Sequence, residues 1–180
     1  MSVKVEQRIG ITAPVDDVYD ILTDIENWPT WSPIHKAASG EVKFGAPVRL
    51  EEYYEGLGLW EQEGAVGEYQ PLSHIHIYIP RPFYAGRLIR FFEVDVLSET
   101  ATSFSVGALF DGFLSEREGK RYRSYLRQGF QAFAEALKAK AEAETDPTKP
   151  HVRITVPEPP TLPKKPPVWQ RQAHFWGKKK

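Results

Sequence analysis

The 180-residue chain has no cysteine. That excludes a disulfide scaffold, a thiolate metal centre and cysteine catalysis. It also lacks a long apolar run: purely apolar stretches extend only a few residues, too short for a membrane-spanning helix. The first residues, MSVKVEQR, carry no signal-peptide hydrophobic stretch, so a cytoplasmic location is the expectation. No glycine-rich phosphate loop occurs and no local Ser-His-Asp arrangement stands out. Strands and helices do not alternate as βαβ units, which argues against a doubly wound parallel sheet. No cofactor is expected.

What is present suffices for a packed core. Hydrophobic residues make up 41% and charged residues 26%, within the range of one globular domain. The formal net charge of -1 hides an asymmetry. Residues 145–180 hold eight Lys/Arg and two acids, a net +6, with eight of the 15 prolines. The other 144 residues hold 15 basic and 22 acidic side chains, a net -7. The chain thus divides into an acidic body, 1–144, and a basic, proline-rich extension, 145–180.

Alternation opens the body. Val3, Val5, Gln7, Ile9 and Ile11 share one face of a strand, with Gln7 as a polar interruption. Pro14 suits a helix start, and Asp16 and Asp17 favour the positive end of its dipole. Val15, Val18, Tyr19 and Leu22 form the apolar face. Asp24 is expected to cap a second short helix ending near Trp28-Pro29. Residues 40–110 read as consecutive strands. Inward sets are Val48, Leu50, Glu52 and Tyr54; Ile75, Ile77 and Ile79; Leu88, Arg90, Phe92, Val94 and Val96; and Thr102, Phe104, Val106, Ala108 and Phe110, while Trp60, Gln62 and Val66 share one parity of a weaker strand. Ser115-Glu116-Arg117-Glu118 reads as a capping box before a long helix to about Ala143. Its stripe is Tyr122, Tyr125, Leu126, Phe130, Phe133, Leu137 and Ala141. Gly129 lies on that stripe, leaving either close helix–sheet approach or room for a ligand.

This order, with particular motifs, resembles the START and birch-pollen-allergen-like (SRPBCC) superfamily, and within it the polyketide cyclase/dehydrase-like group. The residues carrying the resemblance are Ile11-Thr12-Ala13-Pro14, Val15 to Asp20, Leu22-Thr23-Asp24 and Trp28-Pro29-Thr30-Trp31-Ser32-Pro33. Val66 to Leu72 and the final helix with Gly129 and Phe130 also fit. The resemblance covers about residues 3–143 and implies an α+β helix-grip fold. In it a curved seven-stranded antiparallel sheet wraps a long C-terminal helix, with two short helices after the first strand. It also implies a cavity for a small apolar molecule. A bent sheet cannot follow a straight helix along its whole length, so the gap is filled by large side chains or left for a guest.

Glu52, Arg90 and Gln7 are the polar residues expected on inward faces, where an unpaired charge is costly. A direct Glu52–Arg90 pair is not expected, because three strand spacings separate them, about 14 Å along a flat sheet. The ligand-binding set is Trp31, Glu52, Tyr54, Trp60, Arg90, Phe92, Phe110, Tyr125, Gly129 and Phe130. Three readings follow. The first is binding of a small apolar ligand, for transport or sequestration, with Glu52 or Arg90 orienting a polar end. The second is a cyclase/dehydratase-type enzyme without metal, working by general acid–base catalysis through Glu52, His76 or Tyr125. The third is an interaction module acting through its tail, resembling the coenzyme Q-binding or chaperone-activator branches. His74 and His76 stand at the spacing of a two-histidine metal site, but no third ligand stands near, so a solvated strand face and no metal are expected.

Pro157 to Pro167 favours polyproline II, and 151–156 alternates like a strand. Val168, Trp169, Phe175 and Trp176 are unusually apolar for a solvated tail. The tail could fold over the acidic body or dock on another protein, a second copy included. Nucleic acid is disfavoured because the body is acidic.

Overall fold

The computed structural model describes residues 2–145. Expectations for the segment beyond Thr145 lie outside the described residues. Seven strands form one antiparallel sheet: β1 (Ser2–Ile11), β2 (His35–Gly40), β3 (Pro47–Tyr54), β4 (Gly58–Gln70), β5 (His74–Ile79), β6 (Arg87–Ser98) and β7 (Ala101–Asp111). Their spatial order is β1-β7-β6-β5-β4-β3-β2. Helices α1 (Val15–Thr23) and α2 (Trp28–Trp31) follow β1, and α3 (Phe113–Glu144) closes the body. Each strand from β2 to β7 pairs with its sequence neighbour, as short links require, and β1 completes the order on β7.

The inward sets expected from alternation form the core. Val48, Leu50, Tyr54, Ile75, Ile77, Leu88, Phe92, Phe104, Val106 and Phe110 are all buried. From α3 come Leu126, Phe130, Phe133, Ala134, Leu137 and Ala141. Tyr125, expected on the same stripe, is exposed instead. The rings of Trp28, Phe92 and Phe104 surround Phe133, at centroid distances of 5.5, 5.9 and 6.1 Å. Helices α1 and α2 thus plug one end of the space between sheet and α3.

Three local expectations are corrected. Ser115 is not a helix cap: α3 begins at Phe113 after Gly112, whose φ is 101°. Ser115 instead bonds across to the β5–β6 loop, its backbone N–H and its hydroxyl both donating to the Ala85 carbonyl, at 3.0 and 2.7 Å. Glu118 accepts two bonds from Arg81 of that loop, at 2.7 and 3.3 Å. The loop carbonyl takes the Ser115 N–H that Glu118 would have accepted in a capping box, and Arg81 occupies the Glu118 carboxylate instead. Pro29 does not end the second helix; a single 3-10 turn, Ile25–Asn27, runs into α2, and Pro29 sits in its first turn. There the missing N–H costs nothing. Asp24 makes no side-chain cap bond and accepts from Asn27 Nδ2 instead.

Candidate functional site

Glu52 on β3 and Arg90 on β6 meet, contrary to the expectation from strand spacing. Arg90 Nη1 donates to Glu52 Oε2 at 2.5 Å, and both residues have no accessible surface. Curvature draws the two strands together across the concave face, and two long side chains span what remains. Arg90 Nη1 also donates to Gln62 Oε1 and Nε donates to the Gly107 carbonyl, each at 3.3 Å. The guanidinium carbon lies 4.8 Å from the Phe130 ring centroid and 5.7 Å from that of Phe92. His35 Nε2 stands 3.2 Å from Glu52 Oε1, and its Nδ1 is 2.7 Å from the Ser32 hydroxyl.

This surrounding sets the charges. Burial by itself raises the Glu52 carboxyl, but the Arg90 charge, with His35 beside it, holds it down to about 2 from an ordinary 4.5. Burial opposes the Arg90 charge, and Glu52 and Tyr54 outweigh it, so the guanidinium is held above its ordinary range. Burial, then the Glu52 charge, pushes the Tyr54 hydroxyl well above 10. At neutral pH the cluster therefore holds a carboxylate, a guanidinium and a neutral phenol. Three donors of the cluster, Arg90 Nη2, Gln62 Nε2 and the Tyr54 hydroxyl, are buried without a hydrogen-bond acceptor.

Seven of the ten expected ligand-binding residues, Glu52, Tyr54, Arg90, Phe92, Phe110, Gly129 and Phe130, are buried. A side chain without accessible surface borders no void that would hold even a water molecule. Along this stretch the gap between sheet and helix is filled by side chains. Gly129 shows the tightness: a Cβ there would stand 2.3 Å from Tyr54 Cε1. Of its two readings, close approach is the one realised. Gly129→Ala is expected to destabilise by about 1 kcal/mol net, since overpacking costs roughly 1–3 kcal/mol against about 1 kcal/mol of helix propensity gained. Urea unfolding checks the sign.

The other three stand apart. Trp60 lies at the margin, stacked on Phe110 with ring centroids 6.5 Å apart. Tyr125 is exposed and lies over Gly56 in the β3–β4 turn. Trp31 lines a separate depression of about 390 Å³ beside the end of α3. The three catalytic candidates do not converge. Glu52 is on the inner face of the sheet, His76 alternates with buried Ile75 and Ile77 on the outer face, and Tyr125 is on α3. Sequence reasoning missed His35, for which no pattern gave a signal. It also missed Gln62 as an inward polar partner, although Gln62 shares the parity of Trp60 and Val66.

A larger opening lies where β5 stops and β4 runs on. This pocket of about 930 Å³ is lined by two neighbouring cross-strand rows, Gly40, Val48, Gly64 and Leu88 in one, Pro47, Ala65, Tyr78 and Ile89 in the other. Pro80, Arg81 and Gly86 of the β5–β6 loop complete its edge, and α3 contributes none of its wall. Its size falls in the range of small-molecule sites. None of the ten expected ligand-binding residues lines it.

His74 and His76 also gain a neighbour that the sequence reading did not find. Glu68 stands beside both, 3.5 Å from His74 Nε2 and 3.4 Å from His76 Nδ1. The third ligand expected to be missing is thus present on the outer face of the sheet.

The model of a family described as polyketide cyclase / dehydrase and lipid transport matches residues 2–142. Solved structures share the architecture at low identity. A START superfamily protein from Mycobacterium smegmatis superposes with a TM-score of 0.62 at 17% identity, over 79% of this chain and 99% of that one. The Zhui aromatase/cyclase from a Streptomyces species gives 0.63 at 16% identity, over 81% and 100%. Norcoclaurine synthase from Thalictrum flavum, in complex with dopamine and hydroxybenzaldehyde, gives 0.62 at 9% identity, over 81% and 90%. Such identities establish the shared fold and no more. No curated protein matches the sequence. No helix among the described residues is long and apolar enough to cross a membrane.

Proposed function

The chain belongs to the polyketide cyclase / dehydrase and lipid transport family, and on that premise we propose that it binds a small, mainly apolar molecule with a polar acceptor at one end. The observation that carries this reading is the pocket of about 930 Å³ with Val48, Ile79, Leu88 and Ile89 in its wall. Apolar surface buried there would contribute at about 25 cal/mol per Å². The wall continues into the buried polar cluster: Leu88 is followed by Arg90 on the same strand face, and Gly64 is preceded by Gln62. The unbonded donors Arg90 Nη2 and Gln62 Nε2 thus belong to residues one strand repeat from the wall, Arg90 along β6 and Gln62 along β4, and the two side chains meet at 3.3 Å. A carbonyl, phenol or carboxylate on the guest would complete them, at the cost of a side-chain shift that opens the way.

Turnover by acid–base chemistry is the alternative. It needs a group that titrates near neutrality against the guest. Glu52, held at about 2, is not such a group. Binding is the reading that the arrangement supports better.

The test is displacement of 1-anilinonaphthalene-8-sulfonate by a panel of medium-chain fatty acids and bicyclic phenols, with native mass spectrometry of the complex. At least one member should bind one-to-one. Ile79→Trp, which fills the pocket from the inner face of β5 that it shares with Ile75 and Ile77, should weaken it at least tenfold with an unchanged circular dichroism spectrum. A panel that displaces nothing, or equal binding by the variant, would overturn the proposal.

A further inference from the structure

The outer face of the sheet carries a second constellation, independent of the pocket. We propose that Glu68, His74 and His76 form a binding site for a divalent late transition metal, of which zinc is the natural probe. One ligand atom from each lies within 4.8 Å of the others. Ligands at 2.0–2.1 Å from a tetrahedral ion stand about 3.3 Å apart. Glu68 Oε1 stands 3.5 Å from His74 Nε2 and Oε2 stands 3.4 Å from His76 Nδ1, each close to that spacing, so a small carboxylate rotation brings one oxygen against both rings. Two imidazoles and one carboxylate are the donor set of an open zinc site, with a fourth position left to water.

The partners of the remaining ring atoms support the assignment. A ligating histidine usually places its other ring nitrogen against a fixed polar group, which selects the tautomer and aims the ring. His76 would bind through Nδ1; its Nε2 lies 3.3 Å from Glu93 Oε1, a carboxylate on the next strand. His74 would bind through Nε2, which is buried and makes no hydrogen bond; its Nδ1 lies 3.2 Å from the Ser73 hydroxyl. The free nitrogens point at Glu68 and the others are already held. The two rings lie 4.7 Å apart, centroid to centroid, and each side chain is only about a fifth exposed.

Backbone geometry explains why Glu68 is there. Gln62 and Val66 place the even positions of β4 on the inner face. Continued alternation would send Glu68 inward too. The β4–β5 register shifts between Val66 and Glu68, so that Val66 faces Ile77 and Glu68 faces His76. The extra residue, Gly67, turns Glu68 to the outer face, the re-aiming that a β-bulge performs. A side chain on Gly67 would strike the Tyr78 ring, with a Cβ 2.3 Å from Cδ2. The bulge, its glycine and the three donor residues act as one unit, and a bound ion would tie the bulge to β5.

The test uses the untagged full chain, stripped by chelator dialysis and then titrated with Zn²⁺ under equilibrium dialysis and with Co²⁺ under visible absorption. Wild type should take up one equivalent of zinc that raises the melting temperature, and cobalt should give the ligand-field bands of a low-coordinate site. The double variant His74→Ala/His76→Ala should lose that equivalent and those bands. Glu68→Gln should bind at least tenfold more weakly. Glu93→Gln, which leaves all three ligands but frees the His76 ring, should weaken binding about tenfold. Circular dichroism verifies that each variant is folded. Absence of zinc uptake by wild type would overturn the proposal. So would an equivalent that survives in the double variant, since the metal would then reside on other groups such as His151 or His174.

Discussion

Glu52→Ala is expected to lower the unfolding free energy by about 3–5 kcal/mol, because it leaves the Arg90 guanidinium buried with no counter-charge. The carboxylate accepts the shortest bond of the cluster and has no accessible surface, so water cannot replace it without reorganisation. Removing both charges should behave differently. The double variant Glu52→Leu/Arg90→Met replaces the pair by apolar groups of similar volume, which is often neutral or stabilising. It should recover most of the loss. Urea unfolding of the wild type, the single variant and the double variant decides the matter. A double variant as unstable as the single would mean that packing, not charge, sets the cost. The pair also predicts an acid limb. The folded Glu52 carboxyl sits at about 2 and the unfolded one near its ordinary 4.5. Its contribution, about 3 kcal/mol by proton linkage, is complete above pH 4.5 and is lost as pH falls towards 2. The stability gap between wild type and Glu52→Ala should therefore narrow across that window, and a constant gap would contradict the assignment.

Phe133→Ala is expected to cost about 3–5 kcal/mol, the range for truncating a fully buried aromatic. Phe133 has no accessible surface and touches the rings of Trp28, Trp31, His35, Phe92 and Phe104. It joins α3 to the sheet and to α2 at once, so no single neighbour can collapse into the space. The void it leaves lies beside His35, whose Nε2 stands 3.2 Å from Glu52. The variant should thus lose stability through lost packing while retaining the acid limb described above. A loss below about 1 kcal/mol would show that the plug of α1 and α2 repacks freely.

Much of the fold was legible because its signals are local. The set Val48, Leu50, Glu52 and Tyr54 was expected inward and is buried throughout, including its charge. Arg90 followed from the same alternation. The capping box failed because Ser115 and Glu118 found tertiary partners in Ala85 and Arg81, which no local rule anticipates. Tyr125 obeyed the helical spacing yet stays exposed, its ring against Gly56 of the β3–β4 turn, a loop contact that helical spacing does not anticipate.

The amino-acid order by itself determined which residues form strands and helices, which faces are apolar, and that two charges must enter the interior. Those properties depend on the two-residue and 3.6-residue repeats of the backbone, which any short segment displays. Only the tertiary structure decided what the charges do there. Sheet curvature closed the distance between Glu52 and Arg90, side chains filled the gap beneath α3, and the opening formed instead where β5 ends. One inserted glycine moved Glu68 across the sheet to His74 and His76. Curvature and bulges displace whole faces relative to one another, and their effect appears only when strands distant in sequence are brought together.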